Sequence, residues 1–229
     1  MNNEQHELDS LRLLSDTQAE LRDALNSLGR KEADGLIEHY LVYTAALINR
    51  VVEGYAYLRE SRRFEASKFL IRTAIEAVFR VQAIRKKPDL LFRIAFAEYK
   101  EDVKWVRSLN GSDVEATLQA IDSRWTEFMN DYRNKYPEHE LIEKELSARD
   151  ASGVSGLDCY YNSHYRLYCR FTHAAFRAST GDLAKFESED NRTMTLCALA
   201  AIDAVVSIGA EAPRLQSLKE RLPRSDKNA

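Results

Sequence analysis

One helical face near residue 170 carries the side chains of this sequence that are best suited to binding an anion. In the segment YRLYCRFTHAAFRAS (165–179), Arg166, Arg170, His173 and Arg177 recur at helical spacing, and Asn162 precedes them. At about 100° per residue, Arg166 and His173 differ by about 20° around the helix axis, and Arg170 and Arg177 fall within about 40° of Arg166. The spacing therefore predicts a single cationic face.

This face has no acidic counterpart close to it in the sequence, because no Asp or Glu occurs from residue 159 to residue 181. Like charges one helical turn apart repel each other, so an anion is expected opposite the face. It is either a set of carboxylates on a neighbouring helix or a phosphate chain. Glu76, which lies between Arg72 and Arg80 in the polar stripe of an earlier helix, is the leading internal carboxylate.

The spacing Arg166-x6-His173 on a late helix of an all-helical chain resembles the Arg-x(4–6)-His motif of the HEPN superfamily. The segments LIRTAIEAVFR (70–80) and YRLYCRFTHAA (165–175) also resemble a bacterial group known as domain of unknown function 5677. Together these resemblances cover about the middle two-thirds of the chain. Many HEPN proteins are metal-independent ribonucleases of toxin–antitoxin and phage-defence systems, and two of their motifs meet across a dimer cleft.

The HEPN resemblance implies a role for each residue of the cationic face. Arg166 and His173 would form the catalytic pair, in which His173 transfers protons and Arg166 stabilises the phosphate that reacts. Arg170 and Arg177 would bind flanking phosphates. The supporting residues would be Arg72, Glu76 and Asn162. RNA, a second copy of the chain and an antitoxin or partner protein are the implied partners, with no cofactor and no metal.

Two other interpretations of the cationic face remain open. In the first, the protein is a non-catalytic helical interaction or scaffold protein whose arginine stripe is neutralised by carboxylates within the fold. In the second, it is a sensor whose anionic ligand binds the same arginines. Carboxylates in contact with the arginines would favour the scaffold, and an open, solvent-filled groove would favour a ligand or RNA.

The helices that must position this face follow from apolar spacing and from turn residues. The sequence predicts an all-α, antiparallel bundle of about seven or eight helices, with residues 1–32 as an N-terminal amphipathic helix, 33–212 as the bundle core and 213–229 as a short helix and tail. Leucines at heptad spacing from Leu11 to Leu28 pack either against a second subunit, as a dimer arm, or within the same domain. A short acidic helix is predicted at about residues 138–149, and a loop at Ala151–Gly156.

Composition limits the remaining classes of function. A net charge of −3 confines nucleic-acid binding to a local patch, and three cysteines with no CxxC pair indicate neither a disulfide framework nor a zinc site. No histidine follows a glutamate by three residues, which argues against a di-iron bundle. The polar N-terminus and the lack of an apolar run of about 20 residues predict a cytoplasmic protein with no membrane partner.

Overall fold

All regular secondary structure in the described residues is helical. The computed structural model describes residues 3–28, 35–109, 113–172 and 187–222, and no strand occurs among them. The helices are α1 Asn3–Ser27, α2 Leu36–Glu60, α3 Phe64–Lys86, α4 Leu90–Arg107, α5 Val114–Lys135, α6 Ala148–Ser155, α7 Asp158–Tyr160, a π-helix Tyr161–Tyr165, α8 Arg166–Thr172, α9 Glu187–Val206 and α10 Leu215–Arg221. The predicted all-α bundle is confirmed.

Helix α3 lies at the centre of the bundle. It packs against α2, α6, α8 and α9, and its apolar residues face all of these neighbours. Ile71, Ala74, Phe79 and Ile84 are buried, as expected for a helix whose apolar positions spread almost all round. Helix α3 therefore positions α2, α6, α8 and α9.

The leucine seam of α1 is buried within its own chain. Leu14 and Leu21 are buried where α1 packs against α9 and α2. Buried Glu20 accepts a hydrogen bond of 2.6 Å from Nε of Arg214, which joins α10 to α1. The structure shows this seam packed within one domain, which is one of its two interpretations. The domain boundaries at residues 32 and 212 remain a proposal.

The segment before the cationic face folds differently from the prediction. The expected acidic helix at 138–149 and the expected loop at Ala151–Gly156 are wrong, since α6 runs from Ala148 to Ser155. Its N-terminus is capped by Ser147, whose side chain accepts a hydrogen bond from the backbone N–H of Asp150. Gly156 ends the helix with a φ of 76°, a left-handed conformation that favours glycine.

A buried ion pair connects the central helix to α9. The Lys68 ammonium on α3 lies 2.6 Å from Oδ2 of Asp190 on α9, and both side chains are almost completely buried. The Tyr168 hydroxyl on α8 donates to the other oxygen of this carboxylate at 2.5 Å. Burial raises the pKa of Asp190, and the nearby Lys68 only partly opposes this effect. Three helices therefore meet at one carboxylate.

Replacing Lys68 by Met tests how much the fold depends on this pair. Removal of one partner of a buried ion pair leaves an uncompensated charge, so Lys68→Met should lower the free energy of unfolding by about 3–5 kcal/mol. Lys104, whose exposed side chain pairs with Glu101, provides the control; Lys104→Met should change it by less than about 1 kcal/mol. Denaturant unfolding followed by circular dichroism measures both values, and equal losses would contradict the assigned role.

Candidate functional site

The segment that carries the cationic face is a helix interrupted by a π-turn. It consists of α7, the π-helix Tyr161–Tyr165 and α8. A π-turn contains more residues than an α-turn and often occurs at functional sites. Because of it, the angle between Asn162 and Arg166 departs from the ideal α-helical value, yet both side chains are exposed. We call residues 158–172 the motif segment.

Tyr165 attaches the motif segment to the central helix. Its hydroxyl donates to Oε2 of Glu76 at 3.2 Å, and its ring centroid lies 5.8 Å from that of Phe79. The guanidinium of Arg72 lies 5.8 Å from the centroid of the same ring. Burial, together with the Glu76 charge, raises the pKa of Tyr165 to about 12. The phenol therefore stays protonated and donates to Glu76 throughout the physiological pH range.

Tyr168 and His164 attach the other side of the motif segment to α9. Tyr168 is buried and donates to Asp190, as described above. Nε2 of His164 lies 2.8 Å from Oε1 of Glu189, and its Nδ1 lies 2.7 Å from Oγ of Ser163. Both ring nitrogens of His164 therefore have hydrogen-bond partners, and its side chain remains 23% exposed.

Glu189 is held as a carboxylate by its neighbours. The hydrogen bond with His164 lowers its pKa, and Arg192, at 3.5 Å, acts in the same direction, whereas partial burial opposes them. Its charged form is therefore favoured in the folded protein. Glu189 is thus already paired and is not an available counter-ion for the cationic face.

Among the described side chains, the outward side of the motif segment exposes one cation, Arg166, and one acid, Asp158. Arg166 is exposed, and within the described residues no carboxylate lies within 4 Å of its guanidinium. Glu76 is bound by Arg80 at 2.8 Å as well as by Tyr165, while Asp190 is bound by Lys68. The acids that pack against this segment are therefore directed to other partners, and Arg166 faces solvent.

The predicted site residues divide into three groups. Asn162 and Arg166 share the exposed side, and Arg72 and Glu76 lie together beside Tyr165 on the inward side. The backbone of Arg170 belongs to α8, but its side chain is not among the described ones. His173 and Arg177 lie outside the described residues.

Sequence reasoning missed the buried polar group of Lys68, Tyr168 and Asp190. Lys68 continues the i, i+4 row of Arg72, Glu76 and Arg80 on α3, so nothing in the sequence marked it as buried or indicated which carboxylate it would meet. Buried ionisable groups occur both at functional sites and in structural networks. This group holds the motif segment in place, so its role here is to position the cationic face.

In the described part of the chain, no helix has the length and apolarity needed to span a membrane. No group of three or more His, Cys, Asp or Glu side chains there is arranged to hold a metal ion.

These features define an all-α bundle protein in which the motif segment exposes Arg166. The chain belongs to DUF5677, a family of unknown function whose sequence profile matches residues 38–192. The match extends from α2 to the first turns of α9 and includes the motif segment. No curated protein and no solved structure matches the chain. The resemblance to the DUF5677 group is confirmed, and the HEPN resemblance remains a proposal.

The Glu189 interactions predict a pH dependence of stability. Because the pKa of Glu189 is lower in the folded protein than its ordinary value of 4.5, its contribution is complete above pH 4.5 and is lost as the pH falls through the folded-state pKa. Glu189→Gln should therefore destabilise the protein at pH 7, and the difference from wild type should shrink below pH 4.5. Denaturant unfolding at several pH values measures this difference.

The control for this experiment is Glu127→Gln on the exposed side of α5. It should leave the unfolding free energy close to that of wild type at every pH. A difference between wild type and Glu189→Gln that stays constant down to pH 3 would contradict the assigned pairing.

Proposed function

We propose that this protein is a HEPN-like, metal-independent endoribonuclease or RNA-binding module of bacterial defence or toxin systems. The proposal is carried by the exposure of Arg166 on a side of the motif segment where the described acids are bound to other groups. A cation with no internal counter-ion is available to an external one. RNA supplies a phosphate at every nucleotide, and helical arginines can follow such a chain.

The proposed chemistry uses only side chains. Cleavage of RNA through the 2′-hydroxyl requires a base to remove its proton and a cation to stabilise the charge that builds on the phosphate oxygens. An ordinary histidine changes charge near neutral pH, which would suit His173 to proton transfer, and the planar guanidinium of Arg166 suits a phosphate. Arg170 and Arg177 would bind the phosphates on either side, and Asn162 would assist Arg166.

Arg72 and Glu76 would support the site indirectly. Both contact Tyr165, which immediately precedes Arg166, so they orient the segment that presents the arginine. A homodimer and an antitoxin or partner protein complete the proposal, since HEPN motifs work in pairs. The scaffold alternative requires an internal carboxylate on the arginine stripe, and within the described residues Arg166 has none. A sensor of an anionic ligand would use the same arginines, so an experiment is needed to distinguish it from the RNA proposal.

Comparison of wild type with His173→Ala and Arg166→Ala on a panel of RNAs in EDTA tests the proposal. Loss of the proton-transfer group should lower the cleavage rate by about 10²–10⁴-fold with an unchanged melting temperature. Arg166→Ala should weaken RNA binding and reduce the slope of log affinity against log salt concentration by about 0.7 for one lost phosphate contact. Gel-based cleavage and fluorescence anisotropy measure these quantities.

Arg22, an exposed arginine on α1, provides the matched control. Arg22→Ala should leave both cleavage and the salt slope as in wild type. RNA bound but left intact would reduce the proposal to a binding module. RNA neither bound nor cleaved would overturn it and would leave the scaffold and sensor interpretations.

A further inference from the structure

The outward face of α2 carries a heptad seam that no element of the described chain covers. Six residues follow one another at alternating spacings of three and four positions, which is the pattern of a coiled-coil interface. They are Tyr43, Ala46, Arg50, Glu53, Tyr57 and Glu60. All are exposed except Ala46, which is half-buried, and Tyr43 and Tyr57 are 61% and 67% exposed. We call these six residues the α2 seam.

The α2 seam combines two large exposed rings with charges of both signs. Tyrosine and arginine are enriched at protein interfaces and glutamate is depleted there, and both tyrosines here expose most of their surface. Arg50 and Glu53 are three residues apart, which allows an ion pair within one helix. Neither makes an ion pair with a described residue, so both charges are available to a partner.

The α2 seam is complementary to itself when two copies run antiparallel. Around a two-fold axis between residues 51 and 52, Arg50 of one copy faces Glu53 of the other, and the symmetric contact repeats the pair. The same register sets Tyr57 against the small Ala46 and Tyr43 against the Glu60 carboxylate. Opposite charges therefore meet at the centre, and a large side chain meets a small one on either side.

We propose that the α2 seam is an isologous interface with a second copy of this chain, centred on two symmetric Arg50–Glu53 ion pairs. The leucine seam of α1 does not serve this purpose, because its buried leucines are used within the chain. The interface does not depend on the proposed RNA activity. Its test measures molecular mass, so the outcome is independent of whether RNA is cleaved.

Charge reversal in solution tests the register. Arg50→Glu or Glu53→Arg alone sets like charges opposite each other twice and should raise the dimer Kd by at least about tenfold. The double variant Arg50→Glu/Glu53→Arg restores opposite charges and should return the Kd to near the wild-type value. Analytical ultracentrifugation follows the change between the 26.3 kDa chain and twice that mass. Lys104→Glu, in an exposed pair on α4, is the control and should have no effect.

Disulfide cross-linking provides a second measurement. Positions 46 and 57 lie about 16 Å apart along one helix, beyond the reach of a disulfide, whose Cα atoms lie within about 7 Å. In a Cys159→Ser background, which removes the exposed cysteine, the variant Ala46→Cys/Tyr57→Cys should form covalent dimers on mild oxidation. Either substitution alone should not.

Three outcomes would overturn the proposal. They are a wild-type protein that stays monomeric at the highest concentration reached, a dimer that is insensitive to the single charge reversals, and a double variant that stays as weak as the singles. Covalent dimers that form equally well from the single-cysteine variants would also place the contact elsewhere.

Discussion

The ion pair between Lys68 and Asp190 is the interaction on which the candidate site depends. Two charges removed from water are tolerated only where the geometry satisfies both, so α3 and α9 are held in one register. Tyr168 adds a third helix to the same carboxylate. The Tyr168 contact therefore fixes the motif segment to the bundle and limits the rotation of the segment about its own axis.

The contacts on the inward side of the motif segment determine which of its side chains face outward. Tyr165 and Tyr168 face α3 and α9, so Arg166, which lies between them in the sequence, is directed to solvent. The same contacts occupy the acids that pack against the segment. Glu76 and Asp190 accept hydrogen bonds from these tyrosines while they pair with Arg80 and Lys68. The exposure of Arg166 and the engagement of these two acids are therefore two results of one packing arrangement.

Periodicity was sufficient for most of the helices. The spacing of apolar residues predicted an all-α bundle, and α2 and α3 are long helices along which that spacing continues. It failed at α6, where serine and glycine were interpreted as a loop. That helix is stabilised by its cap at Ser147 and by packing on α3, where Lys86 donates to the Ser155 carbonyl at 2.6 Å. Its order therefore comes from contacts with α3 as well as from its own capping residue.

The sequence by itself determined the all-α class, because helical spacing is a local property of about four residues. Only the tertiary structure decided which charges meet. Lys68 and Asp190 are 122 residues apart, and Tyr165 reaches Glu76 across 89. The leucines of α1 and the tyrosines of α2 carry similar heptad spacing, yet one seam is buried in the core and the other faces solvent. The spacing of residues shows which of them share a face of a helix. The partner of that face is set by how all the helices pack together.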